Sequence, residues 1–198
     1  MSKVSAQLVK ELREKTGAGI KDCQEALAQN ALQVDKAADW LRQKGISRAE
    51  KKADRVTAEG AVGSYIHLGG KVGVLIEVNC ETDFVAKTDD FKSLVNELAL
   101  QVAAMKPDYV SREEVPQETL AAELDGYKKV AMEEGKPENI AEKIAQGKID
   151  KYFSNICLLE MDYIRDDSKK VLDVIKESIA KLGENIRVKR FVRYVLGA

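Results

Sequence analysis

The sequence predicts an α+β fold: an N-terminal three-helix module, then a core with a three-stranded antiparallel sheet packed by helices. Three observations predict it. Up to Gly45 the apolar residues recur at helical spacing, interrupted by glycines. From Ala58 the period changes to strict alternation around Gly69-Gly70, the pattern of a hairpin. Helical spacing then returns until the closing stretch NIRVKRFVRYVLG, which is rich in β-branched and aromatic residues. Such a pattern lacks regular βαβ alternation and favours an antiparallel sheet over a doubly wound one. The expected organisation is a three-helix module at 1–45, a helical linker at 46–57 and an α+β core at 58–198.

In chain order, Ser5 is a candidate N-cap for a first helix with Leu8, Val9 and Leu12 on one face. Gly17 and Gly19 end it and turn the chain. A second helix is expected at 21–30 with Cys23, Ala26 and Leu27 inward. Asp35 is the expected cap of a third, whose apolar side is Ala37, Ala38, Trp40 and Leu41 and which Gly45 should stop. So small a bundle has little core, and Trp40 is expected to fill much of it. The charged stretch GISRAEKKADR reads as an exposed linker whose Glu50 and Asp54 interrupt any basic patch. In the hairpin, Val62, Ser64, Ile66 and Leu68 share one face of the first strand. Val72, Val74, Ile76, Val78 and Cys80 share one face of the second. Gly69-Gly70 suits a two-residue turn because glycine accepts positive φ.

The second strand runs into VNCETDFVAK, where Asp83 and Phe84 stand side by side at a strand-to-helix change. Periodicity leaves open whether Phe84 is core or is presented outward. A helix at 89–105 follows with Phe91, Leu94, Val95, Leu98, Val102 and Met105 in phase, ended by Pro107. Further helices are expected at 117–134, from Pro137 onward, and from Ser168 with Val171, Leu172, Ile175, Ile179 and Leu182 as its apolar residues; residues 148–166 read as helix, then loop.

Charge and composition narrow the function. The net charge is -1 and the pI about 6.0, against the basic excess that phosphate-backbone binding needs. No apolar run approaches the roughly 20 residues of a membrane span, and the N-terminus has no secretory apolar segment, so a cytoplasmic protein is expected, unless a targeting segment is missing from this sequence. Cys23, Cys80 and Cys157 are far apart with no CxxC, and are expected to be reduced, buried small apolar residues, not metal ligands. There is one histidine, His67, and no Ser or Cys motif paired with it is visible, so a histidine-based triad has little support. No GxxxxGK loop occurs, and TGAG (16–19) follows a helix, not a strand. The stretch RVKRFVRY mixes Arg187, Lys189, Arg190 and Arg193 with aromatics, as RNA-binding strands do, although an amphipathic edge strand has the same pattern. No acid/base pair stands out, so a binding protein is favoured over an enzyme.

Two motifs, LVKELREKTGAGIKDCQEAL (8–27) and EVNCETDFVAK (77–87), resemble the translation elongation factor Ts family, and GKPENIAEKIAQGKIDKYF (135–153) is similar to its later helical region. The resemblance implies a ubiquitin-associated-like N-terminal module, a linker and an α+β dimerisation core. Longer members carry that core twice; this chain has room for one, and short members are homodimers, so a homodimer is expected. It also implies guanine-nucleotide exchange on the GTPase elongation factor Tu, without a catalytic side chain. Thr82, Asp83, Phe84 and Val85 would contact the partner and dislodge its Mg²⁺, with Phe84 inserting between helices. Arg13, Gly17, Ala18, Gly19, Ile20 and Lys21 would grip another helix of the partner, and His67 matches a further contact position. GDP, GTP and Mg²⁺ would belong to the partner; no cofactor, metal, membrane or nucleic acid is expected for this chain.

Overall fold

The computed structural model describes residues 4–197. The expected segments 1–45 and 58–198 reach past these, and residues 1–3 and 198 lie outside the described residues. Three helices, α1 (Ala6–Thr16), α2 (Ile20–Gln29) and α3 (Val34–Glu50), precede a hairpin of β1 (Glu59–Ile66) and β2 (Val72–Cys80). A single turn, α4 (Asp83–Ala86), leads into α5 (Asp89–Met105), α6 (Gln117–Glu133) and α7 (Glu138–Ile156). Two short strands, β3 (Asp162–Tyr163) and β4 (Asp166–Lys170), then α8 (Val171–Leu182) and β5 (Ile186–Val195) complete the chain. The antiparallel main sheet has the order β1-β2-β5, and β3 pairs separately with β4. The fold is α+β, with one small sheet beyond those expected.

Two compact units share these elements. One holds the chain up to Gly60, Asn79–Leu94 and Ile175–Arg187; the other holds Ala61–Val78, Val95–Val174 and the chain from Val188.

In the first unit Ser5 caps α1, its hydroxyl accepting the Leu8 N–H at 3.2 Å, and Gly17 ends the helix at φ 67°. Val9, Leu12, Cys23, Ala26, Leu27 and Ala37 form the buried core, with Trp40 packed at its margin and the Lys44 ammonium 4.5 Å over its ring. Trp40 is thus half-buried, because alanines and leucines already fill the space between three short helices. Asp35 is not the cap of α3. Gln33 occupies that position, and the Asp35 carboxylate accepts from Lys15 at 2.5 Å. Nor does Gly45 stop α3. It is buried inside the helix, and a Cβ there would lie 2.9 Å from the Ala180 methyl, so the missing side chain permits a close approach. The basic stretch beyond it is anchored by its own partners. Arg48 forks onto Asp22 at 3.0 and 3.1 Å, Lys52 donates to the Gly183 carbonyl at 2.6 Å, and Arg55 reaches Glu81 at 3.4 Å.

In the second unit the hairpin bends at Leu68-Gly69, with the Gly70 N–H returning to the His67 carbonyl at 2.9 Å; the tight turn is one residue earlier than Gly69-Gly70. The Val62, Ser64, Ile66 face of β1 is the exposed one, with Val62 at 69% and Ile66 at 66% exposure. On the opposite face a Cβ at Gly63 would overlap the Val95 side chain. α6 and α7 pack along each other over Val115, Ile149, Phe153 and Cys157. Residues 148–166 divide into the end of α7, one 3-10 turn and β3. The last helix starts at Val171, not Ser168, which lies in β4. The buried Gln101 amide stitches this region: it donates to the Asp162 carbonyl at 2.9 Å and accepts the Ile164 N–H at 2.8 Å. Cys23, Cys80 and Cys157 are buried free thiols, and burial pushes Cys157 up to about 11.

Candidate functional site

The end of β2 changes character because Cys80 is its last inward residue and Thr82 then caps α4. The Thr82 hydroxyl accepts the Val85 N–H at 3.4 Å, starting one helical turn directly off the strand. The cap is held from three sides. The Thr82 N–H donates to Glu184 Oε2 at 3.0 Å, its hydroxyl donates to Glu184 Oε1 at 2.6 Å, and its carbonyl accepts from the Cys80 thiol at 3.2 Å. Burial and the nearby Glu184 charge both raise the Cys80 pKa, which keeps the group a neutral donor.

This turn directs Phe84 outward. Phe84 is 80% exposed, an apolar side chain left outside the core. Asp83 accepts from Lys87 at 2.6 Å across one turn, and this hydrogen bond and charge hold its carboxyl below the ordinary range. The acidic group also suits the first turn of a helix. Thr88 closes the segment: its hydroxyl donates to the Val85 carbonyl at 2.8 Å and accepts the Phe91 N–H at 3.2 Å, so α4 passes directly into α5.

The TGAG turn is built by a similar economy. The Thr16 hydroxyl donates to the Leu12 carbonyl at 2.6 Å and accepts the Ala18 N–H at 3.3 Å, while the Gly19 carbonyl accepts the Cys23 N–H at 3.0 Å. Arg13, Gly17, Gly19, Ile20 and Lys21 are exposed around it, and Ala18 is half-buried. Among the described residues of this unit the exposed large apolar side chains are Ile20, Val56 and Phe84. Two of the three therefore stand in the two sequence motifs, and Ile20 and Phe84 belong to one unit.

His67 lies in the other unit, exposed at the end of the hairpin, with Nδ1 3.1 Å from the Tyr65 hydroxyl. Three of the four basic residues of β5 have intramolecular partners: Arg187 donates to the Ala53 carbonyl, Arg190 to Glu77 at 2.7 Å and Arg193 to the Ala103 carbonyl at 3.2 Å. A phosphate backbone would have to displace these contacts. No group of histidines, cysteines and carboxylates suited to a metal ion occurs among the described residues, and no described helix is long and apolar enough to cross a membrane.

Sequence reading passed over Glu184 and Asn185. They sit at the corner between α8 and β5, about a hundred residues from the turn they hold. One cue was available: a Glu-Asn pair between a glycine helix stop and a strand is polar where a short corner should be buried.

The family model described as "Elongation factor TS" matches residues 3–198. The chain is 55% identical over 197 residues to "Elongation factor Ts" of Anaeromyxobacter dehalogenans, covering 100% of this chain and 90% of the relative. It is 54% identical over 194 residues to "Elongation factor Ts" of Syntrophomonas wolfei, covering 98% and 91%. A third relative of that name, from a Thermoanaerobacter species, is 55% identical over 194 residues, covering 98% and 95%.

Proposed function

The chain belongs to the elongation factor Ts family, and we propose that it is the guanine-nucleotide exchange factor of elongation factor Tu. The observation that carries this reading is Phe84, an aromatic held 80% exposed on a firmly capped turn. An inserted aromatic that loses its water at the centre of a contact is the kind of group that dominates interfaces. Thr82, Asp83, Phe84 and Val85 form the wedge against the partner's nucleotide-binding domain, and the Arg13 to Lys21 turn is a second grip that presents Ile20. Both contacts come from one unit, which supports their acting as a single docking body. His67, set beside Tyr65, is a further candidate contact.

The mechanism needs no covalent step. Mg²⁺ bound in the partner would supply charge neutralisation that retains GDP, and Thr82, Asp83, Phe84 and Val85 would act by disturbing its ligands. Factor and nucleotide each weaken the other's binding, and this coupling is reciprocal. The role of this chain is to bring a preformed wedge, with the ordering cost already met in its own fold. The nucleotide and the metal are the partner's, and the exchange takes place in the cytoplasm.

A homodimer belongs to the same proposal. Ile66 reaches over Gly73, and Arg190 pairs with Glu77, so alternation puts Val62, Leu75, Val192 and Tyr194 on the same outer sheet face. All four are exposed. A sheet face this apolar supports burial against a second copy of the core.

The deciding measurement is release of fluorescent GDP from elongation factor Tu. Strong acceleration is expected with this protein, and a rate unchanged at saturating concentration would sink the reading.

A further inference from the structure

We propose that Glu184 is a positioning residue that aims the Phe84 wedge; the inference rests on the exchange reading above. Glu184 lies between α8 and β5 and meets Thr82 from 102 residues away in sequence. Its two carboxylate oxygens take the two donors of Thr82, the N–H at 3.0 Å and the hydroxyl at 2.6 Å. The second bond sets the hydroxyl. With its proton directed to Glu184, a lone pair is left for the Val85 N–H, which is the bond that caps α4. The rotamer of Thr82, and with it the start of the turn carrying Phe84, is thereby decided by Glu184.

The grip is mutual. The Asn185 N–H donates to Glu81 Oε1 at 2.6 Å, so Glu81-Thr82 and Glu184-Asn185 each supply a carboxylate to the other's backbone. The corner that carries Glu184 is itself immobilised. The Asn185 amide, 2% exposed, donates to the carbonyls of Ala53 at 3.2 Å and Arg55 at 2.9 Å, and the Gly183 carbonyl accepts from Lys52 at 2.6 Å. Phe84 has little packing of its own, so its direction must come from backbone held elsewhere, and the Glu184 carboxylate is the link. The chemistry needs an acceptor at both tips. A carboxylate supplies two, whereas a glutamine amide supplies one.

The test is a double-mutant cycle read by fluorescent GDP release from elongation factor Tu, using the full chain with Glu184→Ala, Phe84→Ala and both. Glu184→Ala is expected to lower the maximal release rate about ten-fold, the size of one charge-assisted hydrogen bond. The half-saturating concentration should stay within about two-fold, since the N-terminal grip is untouched. Glu184→Gln should restore part of the rate. In the Phe84→Ala background Glu184→Ala should add no further loss, because it acts through that side chain. A general weakening of the fold would instead add its loss in both backgrounds, and that result overturns the proposal. So does a full release rate in Glu184→Ala when Phe84→Ala is slow. A full rate in Phe84→Ala would overturn the wedge reading, and the proposal with it. Circular dichroism melting checks that each variant is folded, and Glu184→Gln, nearly isosteric, carries the same cycle should alanine unfold the unit.

Discussion

Phe84 shows how much one side chain's exposure decides. A phenylalanine at a helix start is commonly core, and burying it would contribute about 3–5 kcal/mol that truncation would forfeit. At 80% exposure it contributes almost none of this. Phe84→Ala is therefore expected to leave thermal unfolding unchanged within about 0.5 kcal/mol while strongly impairing GDP release. A melting temperature lowered by many degrees would show a buried ring and contradict the structure. Thr82 and Asp83 were legible in the sequence only through the motif that holds them and the strand-to-helix change beside it, because contiguous residue types mark both. Glu184 was not legible, since nothing in a carboxylate's neighbours along the chain says which distant N–H it will meet.

At the scale of elements, the hairpin illustrates where hydrophobic pattern stops short. Alternation set the period of β1 and grouped Val62, Ser64 and Ile66 on one face, without saying which face is inward. The structure turns that face out. The inward face carries Gly63 because Val95, on α5, occupies the space where a side chain would stand. Gly63→Ala gains some strand propensity, roughly 0.5–1 kcal/mol from the entropy of the unfolded chain. Overpacking against Val95 costs more, about 1–3 kcal/mol, so net destabilisation is expected in a thermal melt. A raised melting temperature would mean that the α5 helix yields easily. Gly45 has a related explanation, since its neighbour Ala180 is far away in sequence and local rules could read the glycine only as a stop. By contrast, α5 spans Asp89–Met105 as its periodicity predicts, because a long amphipathic stripe specifies its own ends and phase.

For the whole molecule the consequential surface is the outer face of the main sheet. Light scattering at micromolar concentration is expected to give twice the 21.9 kDa chain mass, and Ile66→Lys, placing a charge on that face, should give the single-chain mass with the fold retained. A monomer in the unsubstituted protein would contradict the dimer proposal. The sequence by itself determined the α+β class, the phase of the long helices, the hairpin, the buried cysteines and the two motifs that mark the family. Each of these is written in periods of two or 3.6 residues or in contiguous residue types, and so depends on neighbours along the chain. Only the tertiary structure decided that Phe84 stands outside, that the larger apolar face of β1 faces away from the core, and that the Gly183-Glu184-Asn185 corner clasps Thr82 and the turn after α3. These outcomes depend on which distant backbone groups and side chains occupy the same few ångströms, and that information is absent from local spacing.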